Sequence, residues 1–100
     1  MRIPDLWIFQ AVIEPHKVNR FRPEKIEQYV LQQGDDIQKR ILDLAYLVQQ
    51  TLHPDEAKMF SQVAENNPTR LGLWAKTIQN ENDVLTKFYD WQKRGVFAAA

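Results

Sequence analysis

Serine, histidine and paired carboxylates are the residues of this chain that invite a catalytic reading, and they are few. A serine-type triad needs a nucleophile, a base and an orienting acid. Ser61 is the only serine, and His16 and His53 are the only imidazoles. His53 directly precedes Pro54, beside an expected helix start, and His16 falls in a connection between two prolines, so both read as surface positions rather than as bases. The pairs Asp35/Asp36, Asp55/Glu56 and Glu81/Asp83 have the composition of an acid–base couple or a hard-metal site. Each pair also stands where a helix should begin, and short carboxylates there accept hydrogen bonds from free backbone N–H groups and face the positive end of the helix dipole. Capping accounts for all three. With no cysteine, there is no disulfide, thiolate zinc site or cysteine nucleophile. Gly34, Gly72 and Gly95 stand alone, whereas a phosphate-cradling loop needs clustered glycines. The expectation is a chain that is not an enzyme and holds no cofactor and no metal.

Two segments have the residue types for nucleic acid. The first is His16, Lys17, Arg20, Arg22 and Lys25, interleaved with Phe21 and opposed by Glu24. Such a patch would contact phosphates with little sequence preference, but four cations on a neutral domain give a shallow electrostatic term. The second is Gln62 to Thr77, which can be laid out as a helix-turn-helix with Thr69, Arg70 and Lys76 on the recognition helix. Its turn is Asn67-Pro68 where such motifs use glycine, and its cations are sparse. Lysine plus arginine equals aspartate plus glutamate at 13 each over the chain, and the halves divided at residue 50 carry 7 against 7 and 6 against 6. No half carries a field that would steer it toward nucleic acid or an anionic membrane.

Large rings are the remaining resource. Trp7 and Phe9 near one end, and Phe88, Trp91 and Phe97 near the other, add aromatic area beyond what the middle of the chain needs for a core, and aromatic side chains dominate interface hot spots. These five residues are the expected protein-binding set, offered to a partner protein or to a second copy in a dimer.

The elements that would hold these residues are helices. Pro4 and Asp5 suit a first helical turn, so a helix is expected over 4–14, although Trp7, Ile8, Phe9, Val12 and Ile13 are also strand formers and leave 6–13 open between helix and a short extended segment. After a surface connection, Pro23 opens a helix over 23–33 that Gly34 ends in a left-handed conformation. Asp35 and Asp36 open the central helix, where Ile37, Ile41, Leu44, Ala45, Val48 and Leu52 recur at helical spacing, widened by Leu42 and Leu47. Pro54, Asp55 and Glu56 open a fourth over 54–65, with Ala57, Phe60, Val63 and Ala64 on one face. Asn67 and Pro68 open a fifth over 68–79 carrying Leu71, Trp74, Ala75 and Ile78. Asn80 to Asp83 interrupt the pattern as a break or kink, Asn80 and Asp83 imitating a capping box. Val84, Leu85, Phe88, Tyr89 and Trp91 then resume it until Gly95 and Val96 stop the helix with an apolar contact.

The expected fold is therefore all-α: a compact bundle of five to six short helices around one core, residues 1–97 forming a single domain and 98–100 a tail of the kind a cloning scar leaves. A length of 100 residues and 44% hydrophobic against 26% charged residues fit one ordinary globular core. The apolar stretch from Leu6 to Ile13 is too short to span a bilayer. The expected function is a small, cytoplasmic, non-catalytic protein–protein interaction or regulatory module. The alternative is a DNA- or RNA-binding regulator using residues 16–25 or 62–77. No motif is specific enough to borrow a family's function.

Overall fold

A computed structural model describes residues 3–17 and 22–97, and Arg20, Phe21 and the tail 98–100 lie outside it. The described residues form six α-helices and no strand: α1 (Asp5–Ile13), α2 (Pro23–Gln33), α3 (Asp36–Thr51), α4 (Pro54–Asn66), α5 (Leu71–Thr77) and α6 (Glu81–Lys93). Short 3-10 turns, Pro15–Lys17 and Pro68–Arg70, follow α1 and precede α5.

The helix starts are local chemistry. Pro23 and Pro54 occupy first-turn positions where a missing N–H costs nothing. The Asp35 carboxylate accepts from the N–H groups of Ile37 at 3.0 Å and Gln38 at 3.1 Å. Glu56 accepts from the His53 N–H at 3.2 Å, and Asp83 accepts from the Gln79 N–H at 2.9 Å while its own N–H donates to the Asn80 side chain. All three acid pairs thus contribute a carboxylate to a helix start.

The open question at residues 6–13 resolves as helix. Four consecutive residues, Ile8, Phe9, Gln10 and Ala11, are buried, because α1 packs against α2, α3, α4 and α5 together. A helix enclosed on several sides is apolar all round and loses the stripe that marks an amphipathic helix. This is why its sequence resembles a strand. Central α3 touches every other helix, with Ile41, Leu44, Ala45 and Val48 inside.

Two helix ends depart from the sequence reading. Asn67 does not cap α5; its side-chain amide donates back to the Val63 carbonyl at 3.1 Å, closing α4, and the chain enters α5 through the 3-10 turn. The break falls at Ile78 to Asn80, a little before its expected place, so α5 and α6 are separate helices, with Asn80 as the cap and Glu81 to Asp83 as the first turn of α6. At the far end Gly95, with φ of +75°, makes the reversal an L side chain rarely adopts, and the Val96 N–H returns to the Trp91 carbonyl at 2.9 Å. Val96 does not supply the expected apolar contact, since 46% of its surface stays exposed. Phe97 packs there instead, its ring centroid 4.9 Å from that of Phe88.

Candidate functional site

Three of the five rings expected to face a partner lie in the core. Phe9 and Phe88 are fully buried and Trp91 is 6% exposed. Phe60 on α4 joins the two ends of the chain, its ring centroid 5.8 Å from Phe9 and 4.7 Å from Trp91, with Trp74 at 5.9 Å. Phe9, Phe88 and Trp91 are therefore core residues of a single chain. Trp7 and Phe97 alone of the five are half-buried.

Phe97 forms part of a surface groove between α4 and the C-terminal turn. Met59, Gln62, Val63, Asn66, Asn67, Val96 and Phe97 line it, enclosing about 280 Å³. Helical spacing puts Met59, Val63 and Gln62, Asn66 on neighbouring rows of α4, and the left-handed Gly95 turns Val96 and Phe97 back toward them. None of the seven side chains is ionisable. A second groove, of about 380 Å³, lies between α3 and α5, with Leu44, Leu47, Ala75 and Ile78 below a rim that includes Arg40, Asp43 and Tyr46. The Tyr46 hydroxyl donates to Glu27 at 3.1 Å. Burial first, then the bond to Glu27 and the nearby negative charges of Glu27 and Glu24, push its phenol above the ordinary value.

A buried polar cluster was not apparent from sequence. Glu14, at the end of α1, is 3% exposed and accepts a hydrogen bond from Ser61 Oγ at 2.7 Å, and Ser61 has no exposed surface. Lys17 Nζ lies 3.5 Å from Glu14 and 3.9 Å from Glu65, which also accepts from the Gln10 side chain at 3.2 Å. A serine without solvent access cannot reach a substrate in this fold, and His16 and His53 both stand exposed at the surface. The cluster's physical effect is to hold α1 on α4: a buried carboxylate must keep its donors or bear its full desolvation cost. Gln38, likewise buried, ties the entry of α1 to α3 by donating to the Ile3 carbonyl at 2.9 Å and to Asp5 at 3.0 Å. A signal existed for Gln38 and Ser61 alone, which fall at helical spacing within the apolar stripes of α3 and α4, and none for Glu14.

The basic segment fares differently from its reading as a phosphate patch. Lys17 already faces two carboxylates, which neutralise part of its charge. Arg22 and Lys25 are exposed at the start of α2, and Arg20 lies outside the described residues. On Gln62 to Thr77, Asn66 and Asn67 belong to the uncharged groove, and Arg70 is in the 3-10 turn rather than on a recognition helix.

Among the described residues no three His, Asp or Glu side chains gather as a metal site. No described helix is long and apolar enough to cross a membrane. No family model matches the chain, and comparisons with curated proteins and with solved structures return no match.

Proposed function

We propose that this chain is a non-catalytic protein-interaction module, an adaptor, inhibitor or small regulatory subunit of the cytoplasm. It docks a partner protein on the apolar surface beside its C-terminal turn. The observation that carries the reading is Val96, 46% exposed next to the half-buried ring of Phe97 at the edge of an uncharged groove. Exposed apolar surface flanked by polar residues marks interaction sites, and an aromatic ring fixed by packing loses little entropy on binding. Phe97 thus keeps the role its sequence position suggests, while Trp7 stands on α1 outside that lining. The cytoplasmic setting rests on the absence of cysteine.

Site-specific photocrosslinking tests this. A benzophenone amino acid replacing Val96 should give a covalent adduct with a discrete protein in the native cell. The same group replacing Leu31, which is 57% exposed on α2, should not. No adduct from position 96, or an adduct with nucleic acid, would overturn the reading.

A further inference from the structure

Resting on the interaction reading, we infer that the groove between α4 and the C-terminal turn takes an extended, uncharged, apolar peptide segment of the partner. Charge is the first argument. The chain is 26% charged, yet the groove has no ionisable side chain, whereas the α3–α5 groove carries Arg40 and Asp43, and another, beside α6, carries Asp83, Lys87 and Asp90. A charged side chain entering the neutral groove would lose part of its hydration and meet no counter-charge in the lining. An apolar one would remove its surface, and that of Met59, Val63 and Phe97, from water.

The polar rim supplies the second argument. Gln62 and Asn66 are exposed and make no side-chain hydrogen bond among the described residues, and Asn67, its amide spent on Val63, keeps its carbonyl oxygen available as an acceptor. Carboxamides present both an N–H donor and a carbonyl acceptor, the same two groups a peptide bond offers. An extended segment arrives with its backbone groups unpaired and finds partners along this edge, whereas a helix arrives with its own already satisfied. Length agrees: Met59 to Asn66 spans seven helical steps of about 1.5 Å, roughly 10 Å, which is about three residues of extended chain at ~3.3 Å each. The far wall is preformed, because Phe97 is held against Phe88 and Trp91, at 4.9 and 6.2 Å between centroids, and needs no ordering on binding.

The test is a nuclear magnetic resonance titration of the full chain with a capped neutral peptide, acetyl-Ser-Leu-Val-Leu-Ser-amide, and two twins carrying Glu or Lys at the centre. The expected result is saturable shifts confined to the Gln62 and Asn66 side-chain amides and the methyl groups of Met59, Val63 and Val96. Affinity should drop about tenfold or more for the charged twins and for the Gln62→Glu, Asn66→Asp double variant, whose carboxylates can no longer donate. Both positions are exposed, so the variant keeps the fold. Four results overturn the proposal: no shift at millimolar peptide, shifts located elsewhere, equal binding of the twins, or groove shifts that follow protein concentration alone and so report a second copy. A Val96 crosslink to a partner protein without binding of the neutral peptide removes the peptide class and leaves the module reading standing, so the two failures are distinguishable.

Discussion

Phe60→Ala should cost about 3–5 kcal/mol of folding free energy, a large part of the roughly 5–15 kcal/mol that holds a domain of this kind together. Phe60 is fully buried and its ring touches those of Phe9, Trp74 and Trp91. Truncation therefore opens a cavity where α1, α4, α5 and α6 meet. Urea denaturation followed by circular dichroism should show a much lower midpoint with an unchanged slope, or a chain unfolded without denaturant. Leu31→Ala, at an exposed position, should stay within about 0.5 kcal/mol of the parent. A Phe60→Ala variant that unfolds alongside the parent would show that the rings do not form one core.

The second large effect changes with context. Ser61→Val should destabilise by about 1.5–3 kcal/mol, the worth of a hydrogen bond to a charged group, because Glu14 stays buried without its hydroxyl donor at 2.7 Å and keeps only Lys17 at 3.5 Å. Glu14→Met alone should cost about 1–3 kcal/mol by leaving the serine hydroxyl unsatisfied. Combined, the two substitutions remove both the charge and its donor and fill the space with apolar atoms. Lys17, 36% exposed in its side chain, can turn to solvent and Glu65. The double variant should therefore be close to the parent or more stable, as when buried ion pairs elsewhere give way to packed apolar groups. A complete double-mutant cycle in urea reads the coupling directly. Strictly additive losses would mean that Glu14 and Ser61 do not act as a unit.

Helix starts were legible because their causes are local. Pro23, Asp35, Pro54 and Asn80 act on backbone groups within one turn, and Gly34 and Gly95 are identified by a backbone angle that other residues avoid. Partners were not legible, because periodicity defines a face without saying what meets it. Phe9, Phe88 and Trp91 read as surplus only while α1 and α6 were taken as separate ends. Phe60, whose ring touches both Phe9 and Trp91, stands 51 positions from Phe9 in the chain, and nothing nearer in sequence announces that contact. Glu14 was hidden for the same reason, since its donor Ser61 is 47 residues away and an isolated glutamate before a proline is ordinarily a surface residue. The site was legible in part: Phe97 belongs to the groove, but Met59, Gln62 and Asn66 became its lining only when Gly95 reversed the chain toward α4.

A core completed within one chain, with Phe9, Phe88 and Trp91 inside it, makes a direct statement about mass in solution. Sedimentation equilibrium from micromolar to millimolar concentration should return 11.8 kDa throughout, with Trp91 fluorescence shielded from an ionic quencher in a Trp7→Phe, Trp74→Phe background. A mass that rises toward twice that value with concentration, and falls back to the monomer in Trp91→Ala, would put this ring at an interface between copies and contradict the assignment of the terminal aromatics to the core.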